Sequence, residues 1–503
     1  MKQLTGPDAM FLHMELKGFP MHIGGVSIYD QSTSPGGLVR FKDILAMFES
    51  RLDRSPIFRR KLAEVPFNLD QPYWVEDPDF DLEFHVRHIA LPKPGDWRQL
   101  CIQVARLHAR PLDRNRPLWE AYIIEGLNDL DGVPPGSFAL YLKVHHAAID
   151  GASGVQFFGA FNDMSPQPQP ASPPALWQPA PPPGTGKLLF KAYTNSLRKP
   201  GQMIRMARDL LSSRKRIKQG LSRGDFSELG EIPATRFNRK LTPHRVVGAT
   251  RFDFEAIRNI KNSVEGATVN DVMLAIVSGA LRKYLSEKNE LPDSTLVTGC
   301  PVNVRDEGEK DKEGNMVGMM TTALCTDVDD PLQRLRAVHD QAVNAKAYMQ
   351  AQGSRMMVDF SETVPAGIQA LLIQATAVTG LAEKNLMMNT TITNVPGAPY
   401  QLYMCGAQLI DSFGIGPLAP GMGLFHTVNS MVMKNKGTIT LAFICCREVM
   451  PDPELYTQCI EESFTELQRA AAPRKQQSQS KKSVARPRPA RFKTRPAQRR
   501  KAI

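Results

Sequence analysis

The chain has 503 residues, 42% of them hydrophobic, which is too long for one core and enough to fill two. Its net charge is +11, but residues 474–503 alone hold twelve Lys/Arg and no acid, so the rest is close to neutral. Seven cysteines without metal-ligand spacing, no apolar run of about twenty residues and no charged-then-apolar leader exclude a disulfide scaffold, a zinc module, a helical membrane span and a secretory signal. These features predict a protein of the reducing cytosol.

Strand and helix signals alternate from the start. Residues 21–29 and 121–125 read as strands. In 138–144, Phe138, Leu140, Leu142 and Val144 fall on one face at period two. The spacing of Val155, Phe158 and Phe161 predicts a helix over 154–164. Residues 165–186 are Pro-rich, stay extended and mark a domain boundary. Residues 187–223 carry eleven Lys/Arg against the single acid Asp209. Leu188, Leu189, Ala192, Leu197, Ile204, Ala207, Leu210 and Leu211 lay an apolar stripe among those cations, and Pro200-Gly201 should break the helix in two. Further on, Thr268 with Asp271 forms a capping box that opens a long helix through Leu285. Residues 296–300, 388–394 and 438–445 read as strands. The most apolar stretch, 366–382, is interrupted by Gln369 and Gln374 and reads as a buried or interfacial helix. The chain therefore divides into an α/β domain (1–164), a linker (165–186), a basic amphipathic segment (187–224), a second α/β domain (225–473) and a disordered basic tail (474–503).

The most informative segment is His145-His146 with Asp150 and Gly151 behind it. His146 continues the even-numbered series of the 138–144 strand, so it should emerge on the buried side, with His145 pointing the other way. An imidazole at a strand end in an apolar site is a candidate general base near neutral pH. Histidine pairs at strand ends are also commonly satisfied core groups. Adjacent strand residues diverge, so the pair is not expected to share a metal. Asp150 lies where a turn can return its carboxylate, and Gly151 allows a close backbone approach.

His145-His146-x-x-x-Asp150-Gly151 resembles the active-site motif of the bacterial wax ester synthase/diacylglycerol acyltransferase family, within the CoA-dependent acyltransferase superfamily. Pro117-Leu118-Trp119, Asn270-Asp271 and Asn394-Val395-Pro396-Gly397 follow the family's order and spacing over about residues 1–470. The resemblance implies two chloramphenicol-acetyltransferase-like domains, mixed sheets flanked by helices, and a channel between them. It implies transfer of a fatty acyl group from acyl-CoA to a long-chain alcohol or a diacylglycerol in storage-lipid synthesis. His146 would be the general base, Asp150 a structural residue, and no acyl-enzyme would form, since no G-x-S-x-G nucleophile is present. Acyl-CoA is then a substrate, and neither a cofactor nor a metal is expected.

Asn270 is a candidate oxyanion donor, although Asn270 and Asp271 could equally cap their helix. Asn394 is expected to line the site, with Pro396-Gly397 as a turn. Leu118 and Trp119 read as packing anchors. After Asp411, Gly414-Ile415-Gly416 and Phe425 depart from the family's pattern, which leaves acceptor preference open. The basic segments fit an anionic membrane or lipid inclusion better than nucleic acid, because the tail has only Phe492 for stacking. A peripheral cytoplasmic enzyme is expected. The competing readings are a condensation-type acyltransferase using a carrier-protein thioester, and a non-catalytic lipid-droplet coat protein.

Overall fold

Two six-stranded mixed sheets organise the computed structural model, which describes residues 1–149, 157, 159–167, 177–197, 199–304, 317–353, 355–433 and 436–472. Asp150, Gly151, part of the predicted 154–164 helix, part of the Pro-rich linker and the basic tail lie outside the described residues. The architecture is α/β, with helices flanking both sheets.

The Ser137–His145 strand is the centre of the first sheet. It pairs antiparallel with His22–Asp30 on one side and Trp119–Leu127 on the other. All nine of its residues are buried. Phe138, Leu140, Leu142 and Val144 join a core with Phe58, Trp119, Phe157 and Phe161, while Ala139 and Tyr141 face a second, larger core. The alternation thus separates two cores, not core from solvent. Lys143 lies on the odd-numbered side, fully buried, with Nζ 3.0 Å from the Glu120 carboxylate and bonded to the Leu107 and Arg110 carbonyls. A buried ammonium is tolerated only with such partners.

The second sheet runs, in spatial order, Val317–Ala323, Val297–Asn303, Thr390–Pro396, Leu424–Met433, Lys436–Cys446 and Arg245–Asp253. Its helices Val269–Glu287 and Pro453–Ala471 pack on each other. The sheets do not divide where the linker suggests. The Ala407–Ile415 strand, from the second half of the chain, leaves that half and pairs antiparallel with His22–Asp30 of the first sheet. Residues 1–471 accordingly pack as one compact unit. The edge of His22–Asp30 would otherwise present unpaired amides and carbonyls.

The basic segment forms two helices, Thr185–Ser196 and Lys199–Arg223, with Pro200 in the first turn of the second, where its missing N–H costs nothing. It is not a free appendage. Leu188 and Ala192 bury against Val65 and Tyr73, Asn195 donates to Asp70 at 2.7 Å, and the Ser213 hydroxyl donates to the Gln352 carbonyl. The helix expected to reach Met164 stops earlier, because Asp163 bridges to Tyr403 and holds Arg51 at 2.7 Å.

The crossing strand is fastened at Asp411, which is buried and lies 2.9 Å from Arg251 of the second sheet, with Thr440 donating at 3.3 Å. Replacing Asp411 by Ala should destabilise the protein by about 1–3 kcal/mol, less than for a wholly buried pair because Arg251 can turn to water. A thermal midpoint equal to wild type would show that strand pairing alone holds the crossing.

Candidate active site at the end of the central strand

The strand ends at His145, and His146 opens a single 3-10 turn, His146–Ala148. The expected continuation of the alternation to His146 is therefore wrong in its reason, since the backbone leaves the strand first. Two hydrogen bonds hold the strand end. His145 N–H donates to the Leu118 carbonyl at 2.9 Å and His146 N–H to the Met21 carbonyl at 2.9 Å. Leu118 and Trp119 are completely buried, and the Trp119 indole donates to the Phe58 carbonyl at 3.0 Å. Pro117-Leu118-Trp119 thus acts from a rigid position, and its carbonyl is what His145 leans on.

The two imidazoles have different surroundings. His145 is buried. Its Nε2–H donates to Glu15 Oε2 at 2.9 Å, and its Nδ1 accepts the Ala147 N–H at 3.1 Å. One nitrogen donates and the other accepts, so His145 is neutral, fixed in one tautomer and occupied. Burial lowers its pKa, against the raising effect of the Glu15 carboxylate. His145, expected among the catalytic residues, thus has both ring nitrogens engaged.

His146 is half-buried, with Nδ1 shielded from solvent. Its ring stacks on Phe11, centroids 3.8 Å apart and planes 10° from parallel. Burial pushes its pKa down to about 4, with His145 adding to the effect. The imidazole is therefore a neutral proton acceptor at physiological pH, further from neutrality than the sequence suggests.

A buried polar layer lies beneath. His22, opposite His145 in register, bonds through Nε2 to the His108 carbonyl at 2.7 Å. His108 accepts from the Tyr141 hydroxyl at 2.8 Å and donates to the Gly416 carbonyl at 3.1 Å, which ties the site to the end of the crossing strand. Burial and the neighbouring Lys143 lower the pKa of His108 to about 3.

The second half of the chain supplies the remaining motif residues. Thr268 and Asp271 form the expected capping box, with bonds of 3.2 and 2.8 Å, and Asp271 also meets His339 Nδ1 at 3.0 Å. Asp271 therefore serves the helix start, and Asn270 beside it is half-buried in the first turn. Asn394 is exposed in the middle of the Thr390–Pro396 strand, which pairs with Val297–Asn303 only at Thr390 and Thr391. The two parallel strands then part, leaving Asn394 on an unpaired edge. Pro396-Gly397 is not a turn. Pro396 pairs with Ser430, and a Cβ at Gly397 would meet the Ser430 carbonyl oxygen at 2.0 Å, so close backbone approach explains the glycine.

Among the described residues, no group of three or more His, Cys, Asp or Glu could hold a metal ion. Sequence reasoning missed Phe11, Glu15, Arg114, His22 and His108. One signal was available for Glu15. A carboxylate at a helix C-terminus opposes the helix dipole and points to a fixed partner elsewhere.

Comparison with known proteins gives the family. Residues 4–273 match the wax ester synthase/diacylglycerol acyltransferase catalytic domain, and 313–468 match the C-terminal domain of the same family. The chain belongs to the wax ester synthase/diacylglycerol acyltransferase family and is an O-acyltransferase of that class. A Mycobacterium tuberculosis protein named as a probable diacylglycerol O-acyltransferase is 31% identical, over 92% of this chain and 98% of its own. The solved wax ester synthase/diacylglycerol acyltransferase of Marinobacter aquaeolei VT8 superposes with a TM-score of 0.66 at 28% identity, covering 94% of this chain and 100% of that one. The first condensation domain of the calcium-dependent antibiotic synthetase shares the fold alone, with a TM-score of 0.53 at 14% identity over 94% of this chain and 96% of that one.

The expected role of His146 as a base requires a neutral ring, and a pKa lowered to about 4 keeps it neutral until the pH approaches that value. The acyl-transfer kcat/KM of folded protein should therefore stay flat from pH 8 down to about 5.5, without an inflection near the ordinary histidine value of about 6.5. A limb centred at pH 6–7 would contradict the desolvated His146. Linkage has the same sign. The folded pKa lies below the unfolded one, so this burial favours the fold above about pH 6.5 and the contribution is lost as the pH falls toward 4.

Proposed function

We propose that this protein transfers a fatty acyl group from acyl-CoA to the hydroxyl of a long-chain alcohol or a diacylglycerol in storage-lipid synthesis, with His146 as general base. The observation that carries this reading is the neutral, desolvated His146 imidazole stacked on Phe11 at a strand end fixed by backbone hydrogen bonds. His146 accepts the hydroxyl proton as the oxygen attacks the thioester carbonyl carbon. The tetrahedral intermediate expels the CoA thiolate, and the imidazolium returns the proton to sulfur. Transfer is direct. Burial raises the Cys101, Cys300 and Cys325 thiols to about 12 and the Cys405 and Cys459 thiols to about 11, which does not favour an activated thiolate. Asn270 is the proposed oxyanion donor, Asn394 a lining residue on the parted strand edge, and Asp150 the proposed structural residue of the motif. No cofactor is required.

The lipid substrates call for a lipid surface, and we place that surface on the basic helices and their neighbours. Met203, Ile204, Leu210 and Leu211 are exposed on Lys199–Arg223, and Phe190 and Tyr193 on Thr185–Ser196. The Ala366–Val378 helix turns Ile368, Leu371 and Leu372 outward at helical spacing, and the turn bearing exposed Phe67 touches both this helix and Thr185–Ser196. Arg205, Arg208, Arg214 and Lys215 are exposed beside them. Cations next to apolar side chains match an anionic lipid surface. No helix among the described residues is long and apolar enough to cross a membrane.

His146→Ala should lower thiol release from palmitoyl-CoA with hexadecanol, or with diacylglycerol, by about 10²–10⁴-fold at unchanged thermal midpoint. Undiminished release would refute the base, and release only from a carrier-bound donor would favour a condensation activity. Separately, changing Arg205, Arg208, Arg214 and Lys215 to Gln should weaken co-sedimentation with phosphatidylglycerol vesicles at least about tenfold, since each cation near such a surface contributes about 1 kcal/mol. Equal binding by the quadruple variant would remove these helices from the docking surface.

A further inference from the structure

We propose that Glu15 is a positioning residue for acyl transfer, its carboxylate setting the backbone on both sides of the His146 ring, and that with Phe11 it makes the first helix a clamp on the catalytic base. The inference rests on the reading of His146 as that base.

Two routes lead from one carboxylate oxygen to His146. On the first, Glu15 Oε2 accepts the Met21 N–H at 3.1 Å, and the Met21 carbonyl accepts the N–H of His146 itself at 2.9 Å. On the second, Oε2 accepts Nε2–H of His145 at 2.9 Å, and His145 Nδ1 accepts the N–H of Ala147 at 3.1 Å. The amides before and after the His146 side chain are thus tied back to the same atom. A carboxylate has only acceptors, so it requires the hydrogen of His145 on Nε2 and leaves the Nδ1 lone pair for Ala147. Without it, His145 could take the other tautomer and the Ala147 N–H would lose its acceptor.

The carboxylate is itself held. Arg114 Nε lies 3.5 Å from Oε1, and the Arg114 guanidinium donates to the Leu12 carbonyl at 2.7 Å. Burial raises the Glu15 pKa, but the His145 bond, Arg114 and the Met21 amide outweigh it, so the group is ionised. Glu15 caps the C-terminus of the helix that bears Phe11, its own N–H donating to the Phe11 carbonyl at 3.2 Å. That helix, Gly6–Met14, is seated hard against Met356–Thr363, where a Cβ at Gly6 would meet the Ser361 carbonyl oxygen at 2.3 Å.

Thiol release from palmitoyl-CoA with hexadecanol tests the clamp in the full chain. Glu15→Ala should lower kcat about 100-fold, as expected for a misplaced base, with KM for palmitoyl-CoA within about threefold of wild type. Glu15→Gln keeps one acceptor oxygen and loses the charge, and should recover part of the rate, leaving kcat about three- to tenfold below wild type. On a His146→Ala background, neither change should lower the residual rate further, because Glu15 acts only through His146. A residue needed merely for folding would lower both backgrounds alike, and that result overturns the proposal, as does a wild-type kcat for Glu15→Ala. Where Glu15→Ala does not fold, Glu15→Gln decides. A loss confined to the His146 background supports the clamp, while equal losses on both backgrounds or no loss at all refute it. A fully active His146→Ala protein would instead refute the base assignment, an outcome separate from the failure of the clamp.

Discussion

The site depends on where the Ser137–His145 strand stops. That strand is paired on both sides and buried on both faces, so its position is set by two cores and two neighbouring strands. The Leu118 and Met21 carbonyls accept the last amides, and the chain then turns at His146. A side chain placed immediately after such a strand inherits its rigidity, which is what a proton acceptor needs if it is to be fixed within a fraction of an ångström of a lipid hydroxyl. Rigid placement and desolvation have the same source here. The packing that fixes His146 also shields its Nδ1 from water and keeps the ring uncharged.

Burying so much polar material around the strand end is tolerated because most of it is paired. Lys143 meets Glu120 and two carbonyls, His145 meets Glu15 and Ala147, and His108 joins Tyr141 to Gly416. Partly satisfied networks would destabilise the core; connected ones rigidify it. The bond from His108 to Gly416 reaches the strand that crosses from the second half of the chain. Gly414-Ile415-Gly416 thus lies in contact with the layer under the Ser137–His145 strand. A Cβ at Gly416 would press on the Phe425 ring, so the glycine and the phenylalanine go together for a steric reason.

The motif residues were legible because their chemistry is local. Period two gave the 138–144 strand, and Thr268-x-x-Asp271 gave a capping box that the structure contains bond for bond. What could not be read was tertiary. Nothing in 407–415 says that it pairs with 22–30, because an alternating strand fits any open edge. Phe11 and Glu15 lie about 130 residues from the histidines, and only the fold brings them together. Pro396-Gly397 misled for the opposite reason. Its local turn chemistry is real, but the pairing with Ser430 overrides it.

Surface composition separates the two readings of the basic charge. Single-stranded nucleic acid is gripped by cations interleaved with aromatic platforms, and duplex by cations with polar groups that reach the grooves. Between the exposed cations of Lys199–Arg223, the exposed large hydrophobic side chains are Met203, Ile204, Leu210 and Leu211, none of them an aromatic platform. Exposed aliphatic stripes lower stability in water unless something covers them, and a helix such as Ala366–Val378 with Ile368, Leu371 and Leu372 outward gains nothing from solvent. A surface that offers anionic groups above an apolar layer satisfies both sets of side chains at once. The Ala366–Val378 helix also packs on the Gly6–Met14 helix, which presents Phe11 to His146, so one element separates the apolar face from the imidazole. That short path would suit the proposed transfer, whose substrates would enter from a lipid surface.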